Sequence, residues 1–428
     1  MATGAGMLAF ADSPATTSGA QPSLDGRRLA LTGARVIDGT GRAPIENAAI
    51  VVSDGRISAV GPASEVTIPA GVPRIDLPGR TIMPGLVNAH GHLDAGPPEL
   101  PVRERLARQL ELYADYGVTT VAVLGTEPDA LADTLAIRDE TRDKPRHAAR
   151  LYVAGPSLRR LKSEDDARAR VNAYADQKVD VVKMHIAGNA NDTPPHVYAA
   201  LIDEAHKRGL RVAAHFYYLE DARGLLDAGV DVLAHSVRDQ DVDAALIAKI
   251  KSRGVGYIPT LTRDLAQFVY ETTPPFFADP FFLRHRDLYQ TEMAELADPA
   301  YQQQVRAEPG IQKDQDALNQ AMRNLKLLSA AGVTVAMGTD SGTNRGQWQG
   351  YFEHVELEMM VTAGLTPMAA LVAATGHAAQ VVAPGAEIGT VESGKWADLL
   401  VLTANPLDDI TNTRRIDSVY IAGQRLPR

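Results

Sequence analysis

The sequence predicts an α/β protein: a (β/α)8 TIM barrel with a small β-sandwich domain formed by the N- and C-terminal segments. Three observations carry this prediction. Apolar, β-branched runs recur eight times through the middle of the chain. Stretches of helical periodicity separate most of them. Both ends hold short strand-like runs punctuated by turn residues instead.

Taken in order, residues 1–26 contain no Lys or Arg and are rich in Ala, Gly, Ser, Thr and Pro. They read as a disordered tail or an export-signal remnant, with Ala9-Phe10-Ala11 as a cleavage-like pattern before Asp12. The basic start of a signal peptide is missing, so a periplasmic or secreted location is only slightly favoured over a cytoplasmic one. Residues 27–80 form the first part of the sandwich. Leu29–Ile37 is β-rich, and Ala49–Val52 and Arg56–Val60 flank Asp54-Gly55, a hairpin turn signal.

The barrel spans residues 81–384. Its strands fall at Leu86–Ala89, Val118–Leu124, Leu151–Ala154, Val179–Met184, Arg211–Ala214, Val230–Ala234, Val255–Pro259 and Val333–Met337. Helices are expected at Arg103–Tyr116, Glu164–Gln177, His196–Arg208 and Asp241–Arg253, with another near Asp316–Ala331. Gly117, Gly209, Gly229, Gly254 and Gly332 stand just before strands, where a left-handed helix C-cap belongs. A doubly wound sheet fits eight such units less well. An insertion at 262–313 breaks the rhythm and holds Phe268, Tyr270, Phe276, Phe277, Phe281, Phe282 and Tyr289. A long aromatic segment on this face predicts a lid or a dimer contact. Residues 385–428 return to short runs, Asp398–Leu402 and Val419–Ala422, and complete the sandwich.

Composition narrows the function classes. At 45% hydrophobic and 22% charged, the 428 residues have ample material for a core. A net charge of −10 argues against a nucleic-acid partner. No apolar run approaches the roughly 18 residues that a membrane-spanning helix needs. A small-molecule substrate and a homo-oligomer are expected. Cysteine is absent, which removes disulfides, thiolate nucleophiles and thiolate metal sites. Any metal must sit on His, Asp, Glu or a modified Lys.

Several of the eleven histidines fall where barrel chemistry is located, at the C-terminal ends of strands. His90 and His92 end the first strand as H-G-H, and an i, i+2 pair on extended chain points both rings to one side. His215 ends the fifth strand, His235 the sixth, and Asp340 follows the eighth. One such residue alone is an ordinary buried polar group; five at the same strand end are a metal site. Lys183 is a lone cation in the apolar strand Val179-Asp180-Val181-Val182-Lys183-Met184-His185. Buried beside metal ions, its amine would be neutral and able to react with carbon dioxide, giving a bridging carbamate. Otherwise it pairs with a carboxylate.

These residues and the text around them resemble the metal-dependent amidohydrolase superfamily. The segments are "TIMPGLVNAHGH", "EAHKRGLRVAAH", "LLDAGVDVLAHS", "MGTDSG" and, near the C-terminus, "GTVESGKWADLLVL". The likeness spans about residues 29–428 and points to the imidazolonepropionase-like and prolidase-type branch. It implies that His90, His92 and Asp340 bind the more buried of two divalent ions, with zinc favoured. It implies that His215 and His235 bind the second and that carboxylated Lys183 bridges them. Asp340 would also carry the proton from the attacking water to the leaving amine.

One segment departs from the prolidase-type pattern. The fifth-strand His is followed by Phe216-Tyr217-Tyr218 instead of A-H-G. Tyr217 would donate to a substrate oxyanion or simply pack. His185 shares a face with Lys183 and would contact substrate or replace it as a ligand. Arg238 would bind a substrate carboxylate, or pair with Asp239 or Glu220. His354 is a candidate supporting or substrate-binding residue. His206 reads as a helix surface or packing residue, and His147, His196, His285 and His377 carry no informative spacing.

The function expected is a binuclear hydrolase of amide bonds in dipeptides, N-acyl amino acids or related xenobiotic amides. A lactonase or phosphotriester hydrolase, or a mononuclear cyclic-amide hydrolase or deaminase, would use the same scaffold. A non-catalytic interaction barrel would have lost ligands that are all present here.

Overall fold

The computed structural model describes residues 28–93, 100–142, 147–189 and 191–427. The expected tail or export-signal remnant at 1–26 lies outside them. Strands β1 (Arg28–Val36), β2 (Ile45–Ser53) and β3 (Arg56–Pro62) form an antiparallel meander. Ser53 pairs with Arg56 across Asp54 and Gly55, whose φ angles of 51° and 79° are those of a tight hairpin turn. β4 (Arg74–Asp76) and β5 (Thr81–Pro84) pair parallel to β1.

Strand and helix then alternate. The first units are β6 (Leu86–Gly91), α1 (Val102–Asp115), β7 (Val118–Val123), α2 (Leu131–Thr141) and β8 (Arg150–Val153). They continue as α3 (Glu164–Asp176), β9 (Val181–His185), α4 (Pro195–Lys207), β10 (Arg211–His215), α5 (Leu219–Ala228), β11 (Val232–Ala234), α6 (Ala244–Arg253) and β12 (Gly256–Ile258). All five glycines predicted as helix caps take positive φ, from 62° to 94°. β6, β7 and β8 form one parallel sheet and β9 to β12 another. Single parallel bridges continue the path: Ala154 to Val181, Tyr257 to Val335, and Gly91 to Ser341.

The sequence predicts an eighth strand at Val333–Met337. The structure gives single bonds there instead of a continuous ladder. Ala336 donates to the Tyr257 carbonyl at 2.9 Å and Tyr257 to the Thr334 carbonyl at 3.0 Å, which makes the one bridge at Val335, while Ala89 donates to Met337 at 2.9 Å and Met337 to Ala373 at 2.8 Å. Just beyond, the amides of Thr339 and Asp340 both reach the His90 carbonyl (3.1 and 2.7 Å), so the chain bends where a ladder would continue.

The predicted insertion holds α7 (Leu261–Leu265), three short 3-10 turns, α8 (Arg286–Leu296), α9 (Pro299–Ala307) and the start of α10 (Ile311–Ala330). Its aromatic residues do not gather over the strand ends. Phe282 lies edge-on to Trp348 and Tyr351 (5.2 and 5.0 Å), Phe276 meets Phe352, and Phe281 meets Tyr116 at 5.1 Å. Tyr351 and Phe352 open α11 (Tyr351–Thr362), which is followed by α12 (Pro367–Ala373) and α13 (Gly376–Val382). Rings buried among rings lose more water contact than rings at a wetted mouth, which is why they turn inward. Phe282→Ala should therefore lower stability by about 3–5 kcal/mol in urea unfolding and leave kcat unchanged. A lid residue would show the reverse.

β13 (Leu399–Leu402), β14 (Ile416–Ile421) and β15 (Gln424–Arg425) join the N-terminal strands in the order β15-β14-β13-β5-β1-β2-β3. Both ends of the described chain thus share one sheet, with Leu31, Ile50, Ile82, Leu399 and Tyr420 in a common core. A buried ion pair, Arg150 to Asp398 at 2.6 Å, ties that sheet to β8, and Asp398 also accepts from the Ala422 amide at 2.7 Å.

Candidate metal centre

The ends of β6, β9, β10 and β11 converge with the turn after residue 337. His90 and Lys183 are buried, and His92 and Asp340 nearly so. The Asp340 Oδ1 lies 3.1 Å from His90 Nε2 and 3.0 Å from His92 Nε2. Lys183 Nζ is 3.3 Å from His90 Nε2. The His235 ring sits 4.8 Å from that of His90, and His215 lies 4.3 Å from His235. His90, His235 and Asp340 offer ligand atoms within 4.8 Å of one another. The structure therefore brings together all six residues predicted as ligands. His185 joins them at the rim, its ring stacked 3.9 Å from that of His215.

Outer contacts orient these rings. His92 Nδ1 is 3.1 Å from the Gly125 carbonyl, and His235 Nδ1 is 2.7 Å from Thr260 Oγ1. A ring that gives its Nδ1 proton to such an oxygen keeps the Nε2 lone pair for the cluster. Strain concentrates here as well. His235, Thr260 and Asp340 all have positive φ (79°, 50° and 60°), a region that side-chain-bearing residues avoid unless their surroundings impose it. Gly338 is required by contact, because a Cβ there would stand 2.5 Å from Ile258 and 2.9 Å from the His90 amide.

Electrostatics suit a cation. Burial pushes His90 down to about 3 and His185 to about 4, keeping both imidazoles neutral. Burial also lowers Lys183 to about 7, so a share of it is free amine at neutral pH. Burial alone would raise the Asp340 carboxyl, yet His90 and His92 hold it well below the usual carboxylate range. Neutral imidazole nitrogens, one carboxylate and an amine that is partly unprotonated at neutral pH form a donor set that fits divalent ions of the His/carboxylate class.

Two predicted substrate contacts, Arg238 and His354, are placed differently. Arg238 is buried and pairs with Asp264 (2.7 Å), not with Asp239 or Glu220, and also donates to the Phe216 carbonyl. Asp239 instead accepts from the Leu219 amide, and Glu220 pairs with Arg223. The Arg238 guanidinium thus lies 4.7 Å from the Tyr217 ring as a support, with Lys313 Nζ also 5.7 Å from that ring. Tyr217 itself is half-buried, two residues beyond His215, with its ring against that of Tyr218. His354 is not part of the site. It is fully buried, and both ring nitrogens are used, one by Thr413 Oγ1 (2.9 Å) and one by the Tyr116 carbonyl (2.8 Å). Removing the Asp264 carboxylate would strand a buried cation. Asp264→Ala should cost about 3–5 kcal/mol in chemical denaturation, and pairing it with Arg238→Met should recover most of that loss. A wild-type midpoint for the single variant would contradict the pairing.

Sequence reasoning missed Arg263. Its Nη1 is 2.7 Å from Asp264, and its Nε is 3.8 Å from Asp340 Oδ2. The available signal was a cation four residues beyond the seventh apolar run. Among the described residues, no helix is long and apolar enough to cross a membrane.

The amidohydrolase family model matches residues 81–426. An uncharacterised Mycobacterium tuberculosis protein is 30% identical over 56% of this chain, and the matched part spans 64% of that relative's length. Two Symbiobacterium thermophilum proteins, a 5-methylthioadenosine/S-adenosylhomocysteine deaminase and an imidazolonepropionase, are each 26% identical. They cover 88% and 84% of this chain and 85% of their own lengths. The crystal structure of a putative prolidase from Bifidobacterium longum superposes with a TM-score of 0.75 at 28% identity. It covers 94% of this chain and 95% of its own.

Proposed function

The chain belongs to the amidohydrolase family, and we propose that it is a hydrolase acting on carbon–nitrogen bonds. From that premise we propose a binuclear amide hydrolase whose substrates are dipeptides, N-acyl amino acids or related xenobiotic amides. The convergence of His90, His92, Lys183, His215, His235 and Asp340 at one end of parallel strands carries the reading. The single bridges, one between the two parallel sheets and two to the segment around Val335 and Ser341, support a closed (β/α)8 barrel at 81–384, and the one eight-stranded sheet of both termini supports a small β domain from 27–80 and 385–428.

His90, His92 and Asp340 would hold one ion, His215 and His235 the other, with a carbamate on Lys183 between them. Two divalent ions, zinc by preference, would supply Lewis acidity toward the scissile carbonyl and acidify water at neutral pH. Asp340, kept ionised, accepts the proton of the attacking water as the oxygen–carbon bond forms. It then delivers that proton to the nitrogen as the carbon–nitrogen bond breaks. Tyr217, braced by Arg238, donates to the substrate oxyanion. Arg263, beside Asp340 and partly exposed, is placed to meet a substrate carboxylate, which favours N-acyl amino acids and dipeptides.

A panel of N-acyl amino acids, dipeptides, their carboxamide-capped forms, lactones, phosphotriesters and aminopurine nucleosides tests the proposal on metal-loaded protein. The expected result is hydrolysis of amides with a free carboxylate, at least tenfold faster than of capped forms. Turnover confined to lactones, phosphotriesters or nucleosides would overturn it.

A further inference from the structure

Two glutamates one turn apart on α11, Glu353 and Glu356, are fully buried, and neither has an ion-pair partner among the described residues. Such burial is costly unless the oxygens are well used. Glu353 spends one oxygen, Oε1, on Asn88 Nδ2 (2.6 Å), Thr339 Oγ1 (2.8 Å) and Ser341 Oγ (2.8 Å), while Oε2 makes no hydrogen bond. Asn88 in turn accepts from the His90 amide at 2.9 Å. Thr339 and Ser341 flank Asp340 at its left-handed bend. Glu356 uses both oxygens: Oε1 accepts from the Leu261 amide (2.8 Å), and Oε2 from the amide and hydroxyl of Thr262 (2.7 and 2.8 Å). Those amides follow Thr260, the left-handed residue whose hydroxyl orients His235.

We propose that Glu353 and Glu356 are positioning residues through which one helix sets the relative placement of His90, His235 and Asp340. This rests on the proposed metal site. These are the same three residues whose ligand atoms crowd within 4.8 Å: α11 reaches His90 through Asn88, Asp340 through its neighbours Thr339 and Ser341, and His235 through Leu261 and the adjoining Thr260. The helix thus acts as a common back-plate to three loops that have no continuous ladder between them.

The two glutamates differ in a way that the test uses. In Glu353→Gln the single working oxygen is retained, so the network survives. In Glu356→Gln an NH2 group must face an N–H donor, so the grip on the Leu261 and Thr262 amides that follow Thr260 is broken. The experiment is Zn2+ affinity of the full chain by competition with a chromophoric chelator, alongside the melting temperature of the metal-free protein. Glu356→Gln and Glu353→Ala should each weaken zinc by about 10–100-fold, the scale for loss of an outer-shell contact. Glu353→Gln should stay within about twofold. Glu358→Gln, on the same helix but paired with Arg414, should leave zinc affinity unchanged whatever it does to melting. Thr260→Val, which removes the hydroxyl on His235 directly, should match Glu356→Gln and stands in for it if that variant does not fold. Wild-type affinity in Glu353→Ala and Thr260→Val, or an equal loss in Glu358→Gln, would overturn the inference alone. A wild-type chain that binds no zinc would overturn the metal-site reading and this inference with it.

Discussion

Asp340→Asn is expected to lower kcat by about 10²–10⁴-fold, the usual scale for loss of a general acid/base, while the protein remains folded. The substitution preserves size and one oxygen, so the contacts of Oδ1 with the His90 and His92 rings at 3.0–3.1 Å can persist. What it removes is the anionic oxygen that accepts a proton. The measurement is turnover of the best amide in the panel by metal-replete variant, with far-UV circular dichroism as the check on folding. Turnover near wild type would remove Asp340 from the proton path.

Lys183→Ala is expected to have the other large effect. Lys183 is buried, 3.3 Å from His90 Nε2, and pushed down to about 7 by burial, which are the conditions under which an amine takes up carbon dioxide. Losing a bridging carbamate removes an anionic ligand from both ions at once. The second ion should be lost or loosely held, and activity should fall by at least 10²-fold. Formate, acetate or propionate should enter the vacated space and restore part of the turnover. A Lys with a purely structural role would show lowered stability, unchanged metal content and no rescue by acids.

The clustering of these side chains was legible because strand geometry ties it to sequence. The end of an apolar run marks the same end of each parallel strand, so His90, His215, His235 and Asp340 fall together without knowledge of the loops. The helix-capping glycines were legible for a similar local reason. Contacts between remote segments were not. Arg238 chose Asp264 from beyond the next strand, over the nearer Asp239, because Asp264 sits on α7 beside the strand ends. The insertion's rings turned toward Tyr116, Trp348 and Tyr351, partners that no spacing within 262–313 reveals. His354, Glu353 and Glu356 share one short helix in which nearly every face is buried, so its pattern could not say which polar group met which loop. The eighth strand is reduced to a bridge by a remote segment: the Met337 amide donates to Ala373 and the Val87 amide to Ala374, where a continuous ladder would pair the two runs.

The most direct measurement is the number of metal ions per chain in full-length protein reconstituted with zinc in bicarbonate buffer and freed of loose metal. Six ligands with a lysine carbamate between two histidine groups predict two ions per chain, falling to one or fewer in Lys183→Ala. A single ion in the wild-type chain, unchanged by Lys183→Ala, would contradict the binuclear account.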